Sequence, residues 1–270
     1  MKKTILIAFL LSITSLIAES NSATETNTTK TIFDRNMTKI TIEETPIKRT
    51  IQERLTDSLN KMGNLKTYSV EATSDNLLIY GKDVKSKYTN VFSMLVDRPY
   101  KATIKIKGDT KNREYYFNNG NYTLYNQEDV IYWGDLFVPK NTDDALDFML
   151  EKYGEEQPVS ILLYSDMVKR IHPNSITDFG EEVKNGEHTF HIGFRSKDHK
   201  KDIHVWISKE SDLVVAYSLI RKNEVNEYRI NISLKWTLNP EVSDSDFIFS
   251  NKIPGQKIPI DIKKTRKQVK

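Results

Sequence analysis

Residues 113–126 have the sequence REYYFNNGNYTLYN, and this stretch decides the expected fold. Apolar and polar residues alternate on both sides of the central Asn119-Gly120 pair, beginning at Tyr115 and Phe117. A period of two is typical of a half-buried strand, and an Asn-Gly pair readily adopts the positive φ angles of a tight hairpin turn. The stretch therefore predicts an antiparallel β-hairpin.

The same alternation recurs on both sides of this hairpin, and a second Asn-Gly pair stands at Asn185-Gly186. Short alternating segments separated by turn residues predict an antiparallel sheet. The predicted strands are 68–72, 77–79, 88–94, 100–106, 115–117, 122–124, 130–133, 176–183, 190–194, 203–207, 213–220 and 228–236.

Two blocks interrupt the strands with helical spacing. The first follows Thr45-Pro46 as N-cap and first-turn residue, and its apolar stripe runs to Met62 before Gly63. The second begins with a helix that Thr142 caps and Gly154 ends, and a shorter apolar helix is predicted over 159–171, after Pro158. We expect a mainly β (α+β) fold with a single, strongly curved antiparallel sheet. Because such a sheet can be apolar on one face only, the N-terminal helix and the central helical insertion should lie in its concavity.

The charge is unevenly distributed along the chain. The 40 Lys and Arg residues exceed the 37 Asp and Glu residues by three. Residues 1–18 combine two lysines with an apolar run and predict a signal peptide, cleaved after Ala18 or, as an alternative, after Ala23. Residues 263–270 add five positive charges, so residues 19–262 carry about −4. We expect a flexible leader over 19–45 with at most one short strand, one domain over 46–262, and a basic tail over 263–270.

The residue chemistry limits the functional classes. The chain has no cysteine, which excludes disulfides, thiol nucleophiles and a lipoprotein attachment cysteine. His188, His191, His199 and His204 are close in sequence, but His188 and His191 should face opposite sides of a strand, so we assign no metal site. We likewise assign no catalytic residue and no cofactor.

Several stretches resemble a bacterial family of predicted periplasmic proteins of unknown function, with a fold similar to the lipoprotein carriers LolA and LolB. They are DRPYKATIKI (97–106), REYYFNNGNYTLYN (113–126), TDDALDFMLEKYGEEQPVSILLYSD (142–166), GEHTFHIGF (186–194), VWISKES (205–211) and LKWTLNPEVSDSDFIFSNKIPG (234–255). Together they span about residues 50–260. The family's Gly-x-x-Cys stretch is Gly186-Glu187-His188-Thr189 here, so no thiol role carries over.

The resemblance implies an incomplete barrel lidded by helices, in the periplasm, that binds or carries a lipid, an acylated protein or another hydrophobic ligand. The alternatives are an envelope sensor or assembly factor that binds a protein and, third, an enzyme acting on envelope lipid or glycan. We expect a monomer that binds no nucleic acid and touches a membrane at most through its tail, Lys263, Lys264, Arg266, Lys267 and Lys270. The expected ligand-binding residues are Arg98, Tyr115, Phe117, Trp133, Phe148, Met149, Trp206 and Trp236.

Overall fold

The computed structural model describes residues 29–33, 39–43, 49–81, 84–109, 111–128, 131–154, 156, 159–222, 226–250 and 255–259. The predicted signal peptide and basic tail lie outside the described residues. Within the predicted leader, β1 (Thr29–Phe33) and β2 (Lys39–Glu43) pair antiparallel as a separate two-stranded sheet. Two strands therefore stand where the sequence predicts at most one.

The described part of the main domain forms one twelve-stranded sheet in the order β14-β8-β7-β6-β5-β4-β3-β13-β12-β11-β10-β9. Neighbouring strands are antiparallel except the short β14, which runs parallel to β8. The strands are β3 (Thr67–Tyr80), β4 (Val84–Asp97), β5 (Lys101–Gly108), β6 (Asn112–Asn118), β7 (Asn121–Asn126), β8 (Tyr132–Phe137), β9 (Thr177–Lys184), β10 (Glu187–Arg195), β11 (Asp202–Ser208), β12 (Val214–Lys222), β13 (Asn226–Leu238) and β14 (Gln256–Lys257). The sheet is open, because β14 and β9 stand at opposite ends of this order.

Both Asn-Gly pairs form the hairpin turns that the sequence predicts. Asn119 and Gly120 have φ angles of 47° and 93° between β6 and β7, and Asn185 and Gly186 have 54° and 84° between β9 and β10. These are the positive φ values that Asn and Gly tolerate best.

One face of the sheet carries a continuous apolar surface, and we call it the inner face. Strand register aligns Val70, Met94, Ile104, Tyr115 and Leu124 across five neighbouring strands, and all five side chains are buried. A second row, Ile192, Val205, Tyr217 and Ile232, continues the buried surface across β10 to β13. The opposite, outer face is mostly polar, as expected for an antiparallel sheet with one covered side.

The N-terminal helix, α1 (Ile51–Asn64), packs on the inner face through Leu55, Leu59 and Met62. Its predicted start at Thr45-Pro46 is wrong. Thr50 is the N-cap, because its hydroxyl accepts from the Glu53 backbone N–H at 3.2 Å while the Glu53 carboxylate accepts from the Thr50 N–H at 2.7 Å. This reciprocal capping box satisfies N–H groups that have no partner inside the helix.

The central helical insertion, residues 141–171, also packs on the inner face. It contains α2 (Thr142–Phe148), a π-helical turn (Met149–Tyr153), α3 (Ser160–Leu163) and a 3-10 helix (Met167–Arg170). Asn141, not Thr142, is the N-cap of α2, since its Oδ1 accepts from the Asp143 N–H at 2.8 Å. The single helix predicted over 159–171 is likewise wrong, because the chain turns extended at Tyr164. With these corrections, the predicted fold class is confirmed.

Arg98, in the turn between β4 and β5, holds this insertion against the sheet. Its side chain is 8% exposed, and its guanidinium donates to the carbonyl oxygens of Leu162 and Leu163, where α3 ends. The Tyr68 hydroxyl accepts from Arg98 at 3.0 Å and donates to the Leu162 carbonyl at 2.6 Å. Burial raises the pKa of Tyr68 to about 12, so this hydroxyl remains a donor. We call this arrangement the Arg98 clamp.

We predict that Arg98→Met lowers the free energy of unfolding by about 2–4 kcal/mol, because buried carbonyl oxygens lose a charged donor. Denaturant unfolding of the purified variant measures this change. Arg195→Met is the matched control, since Arg195 is half-exposed and pairs with Asp202 at the surface; it should cost less than about 1 kcal/mol. Equal losses in the two variants would contradict the clamp.

Candidate functional site

A cavity of about 440 Å³ lies between the helical insertion and strands β11 and β12. Its floor comes from Ile203, Tyr217 and Leu219 on the inner face of the sheet, and its roof from Ile161 and Met167 of the insertion. Ile203, Tyr217, Ile161 and Met167 are buried, whereas Leu150 of the π-helical turn lines the cavity and is 42% exposed. The buried residues mark the apolar interior, and Leu150 marks the mouth.

One wall of the cavity is a hydrogen-bonded ionic network. Arg170 donates to Asp147 at 2.8 Å and to Asp166 at 2.8 Å, and Tyr164 donates to Asp147 at 2.9 Å. Burial works to raise the pKa of Asp147, but the hydrogen bonds from Arg170 and Tyr164 outweigh it and lower that pKa. The Asp147 carboxylate therefore stays ionised and fixes both donors.

A second ionic group joins the insertion to the strands. The carboxylate of Glu156 accepts from Lys201, which follows the turn after β10, and from Arg221 of β12. Arg221 pairs in register with Tyr228, so it stands two residues from Leu219 on the inner face. These ion pairs connect the insertion to the strands beside the cavity, which Glu156 and Lys201 line.

None of the eight ligand-binding residues expected from the sequence is among the described residues that line this cavity. Tyr115, Phe117 and Met149 are fully buried in the core. Phe148 packs at 5.9 Å from the Tyr153 ring, and Trp236 at 5.5 Å from the Tyr68 ring. Arg98 forms the clamp described above. These six side chains lie on the inner-face side but are occupied by contacts within the protein.

The other two expected residues, Trp133 and Trp206, lie on the outer face. Trp133 packs at 5.4 Å from Phe249, a residue of the C-terminal segment, and helps line a separate groove of about 540 Å³. Trp206 is in register with His191, stacks on its ring at 4.4 Å and donates to Glu182. The structure therefore does not bring the eight residues together into one site.

The cavity residues that sequence reasoning missed were partly within reach of the strand pattern. Ile203 shares the parity of Val205 on β11, and Leu219 shares the parity of Tyr217 on β12, so alternation places all four on one face. Leu150 directly follows the expected Met149. Strand alternation does not predict the cavity above these residues, because the helical insertion forms its other side.

Four of the five histidines lie in two pairs, and no metal site is found within the described part of the chain. His191 Nε2 lies 2.9 Å from His204 Nδ1, and His191 Nδ1 lies 2.9 Å from Glu182 Oε1. The rings of His172 and His199 are 4.4 Å apart, while His188 is exposed. No group of three His, Cys, Asp or Glu suited to a metal ion is found among the described residues.

The His191–His204 contact requires that at least one of the two rings is neutral. One of the two facing nitrogens must accept the hydrogen bond, because a proton on each of them would set two donors against each other. Burial lowers the pKa of His191 despite the nearby Glu182, and His204 and Lys184 lower it further. Burial also lowers the pKa of His204, although Asp202 opposes this shift.

We predict that this pair makes the folded chain less stable in acid. Because both pKa values are lower in the folded chain, the unfolded chain takes up protons first as the pH falls through about 6.5, and the free energy of unfolding decreases below that pH. A variant with His191→Asn and His204→Asn should lose less melting temperature than the wild type between about pH 7.5 and about pH 5.5. The exposed His188→Asn variant, as control, should keep the wild-type pH dependence; identical profiles for the pair variant and the wild type would contradict the prediction.

No helix among the described residues is both long and apolar enough to cross a membrane. Comparison with curated proteins gave no match.

Solved structures similar to this chain share little sequence with it. A LolA superfamily protein from Nitrosomonas europaea has 8% identity and a TM-score of 0.35, over 75% of this chain and 99% of that one. The Mycobacterium tuberculosis lipoprotein LppX has 14% identity and a TM-score of 0.40, over 72% and 97%. Pseudomonas aeruginosa MucB, solved in complex with MucA, gives 10% identity and a TM-score of 0.31, over 74% and 60%.

The family comparison covers most of the domain. Residues 52–262 match the family described as predicted periplasmic protein, DUF2092. This span begins in α1 and includes all twelve strands of the main sheet. The chain therefore belongs to the DUF2092 family of predicted periplasmic proteins.

Proposed function

We propose that this periplasmic protein binds a hydrophobic or acylated ligand in the cavity beneath the helical insertion. The observation that carries the proposal is a cavity of about 440 Å³ whose interior is lined by Ile161, Met167, Ile203 and Tyr217. Ligand sites for small molecules usually measure about 300–1,000 Å³ and are mainly apolar with a few polar groups. Burial of an acyl chain there gains about 25 cal/mol for each Å² of apolar surface removed from water.

The contrast with the rest of the inner face supports this placement. Around Tyr115, Phe117 and Tyr122 the protein's own aromatic side chains fill the space between sheet and helices. A ligand bound there would have to displace side chains that are packed in the core. The cavity over β11 and β12 can accept apolar atoms without that cost.

The mouth supports the same reading. Leu150 is apolar, exposed and part of the cavity wall, so an entering chain meets apolar surface before it reaches the interior. Phe148 and Met149, which the sequence analysis expected to form a lid, precede it in the same helical segment. In this proposal they anchor the π-helical turn while Leu150 makes the contact with the ligand.

Filling the cavity should abolish binding without unfolding the sheet. Leu219→Trp places an indole in the cavity, whereas Ile220→Trp, at the next position of β12, faces the outer side and serves as the matched control. We expect Leu219→Trp to weaken binding of cis-parinaric acid methyl ester, a neutral fluorescent acyl chain, by about tenfold or more, or about 1.4 kcal/mol. Ile220→Trp should bind as the wild type does.

Native mass spectrometry of the chain purified from periplasm provides the second measurement. A bound lipid mass in the wild type that is absent in Leu219→Trp supports the proposal. Equal binding by both tryptophan variants would move the ligand elsewhere. Repeated recovery of lipid-free wild type with a stable protein partner would favour the sensor or assembly role, and hydrolysis of the ester would favour the enzyme.

A further inference from the structure

Two short segments form the rim of the cavity, and both are rich in basic residues. They are the 3-10 helix Met167–Arg170 and the turn 196–201 between β10 and β11. The Lys197 N–H donates to the Arg170 carbonyl at 2.8 Å, and Ile171 bridges Ser196, so the two segments are fixed side by side. Together with Asp166 just before the 3-10 helix, they hold five basic and two acidic side chains.

The carboxylates around the rim are already paired with particular cations. Arg170 binds Asp147 and Asp166, and Lys201 and Arg221 share Glu156. Lys200 lies 3.8 Å from Asp198. These ion pairs involve four carboxylates and four basic side chains. Two further lysines on the rim segments bring the basic side chains to six, so an excess of two positive charges remains.

The two remaining cations are Lys169 and Lys197. Both side chains line the cavity, both residues are exposed, and neither has an ion pair within the described residues. This local excess stands on a chain whose residues 19–262 carry about −4. The positive charge is therefore located at the cavity and is not a property of the surface as a whole.

We infer that the ligand of this cavity is an anionic amphiphile, with an acyl chain on the apolar floor and a carboxylate or phosphate at Lys169 and Lys197. The inference rests on the proposed function and adds the chemistry of the head group. Lysine ammonium groups are compact charges on flexible stems, so they can reach a head group at the rim while the chain lies inside. A neutral lipid would leave both ammonium groups without a counter-charge.

The test compares an anion with its neutral counterpart of the same chain length. The chain purified from periplasm and freed of bound lipid is titrated with cis-parinaric acid and with its methyl ester. We expect the acid to bind about three- to tenfold more tightly, as two partly exposed ion pairs allow, and the preference to weaken as salt is added. The double variant Lys169→Gln and Lys197→Gln should lose the preference but still bind the ester.

A matched control separates local from overall charge. Lys87→Gln with Lys235→Gln removes the same two charges from exposed positions on β4 and β13 and should keep the preference. Competition with a lysophosphatidylglycerol and with an unlabelled fatty acid distinguishes the two anion sources, since only the preferred head group should displace the probe at low concentration.

The outcomes separate this inference from the proposed function. Equal affinity for acid and ester, or an undiminished preference in the Lys169 and Lys197 variant, overturns the inference and leaves hydrophobic binding in place. Failure of both probes to bind the wild type overturns the proposed function and the inference with it.

Discussion

The Arg98 clamp fixes the helical insertion on which the cavity depends. Two carbonyl oxygens at the end of α3 have no partner inside the helix, and the guanidinium of Arg98 satisfies them from the sheet. The same turn docks α2, since the Pro99 carbonyl accepts from the Thr142 backbone at 2.8 Å and from its hydroxyl at 2.9 Å. Polar contacts from the turn between β4 and β5 thus fix both α2 and α3. The position of these helices in turn determines where the roof of the cavity lies.

The inner face has two halves that differ in how the helices contact the sheet. Near the clamp, the side chains of Tyr68, Tyr115 and Phe117 are excluded from water. At the cavity, the insertion is joined to β12 and to the turn 196–201 through ion pairs at Glu156 and through the backbone bond from Lys197 to Arg170. Polar contacts therefore connect the insertion to the strands beside the cavity.

The sequence predicts features that depend on nearby residues and misses those that depend on distant ones. The strand alternation and the two Asn-Gly turns are local, and both are confirmed. The capping box of Thr50 and Glu53 is local as well, but the prediction placed the helix start at Thr45-Pro46 and missed it. The break after Leu163 could not be read locally, because its hydrogen-bond partner Arg98 is 65 residues away.

The same distinction explains the aromatic residues. Trp206 lies between Val205 and Ile207 on β11, so strand alternation alone places its side chain on the outer face. The expectation that it lines a ligand site followed only from its aromatic side chain. The shape of the cavity depends on how the side chains of the insertion and of the strands meet, so it cannot be predicted from any single segment.

The side chains that line the cavity set its size, and this bears on its role. The half of the inner face around Tyr115 and Phe117 is filled by large aromatic side chains, whereas the smaller Ser160 and Leu219 line the cavity. Closing the gap would need only larger side chains at Ser160 or Leu219, a change that hydrophobic cores accommodate when the space exists. Smaller side chains at the cavity, beside a densely packed opposite half of the same face, favour a volume kept for a ligand, whose apolar surface would be buried on binding.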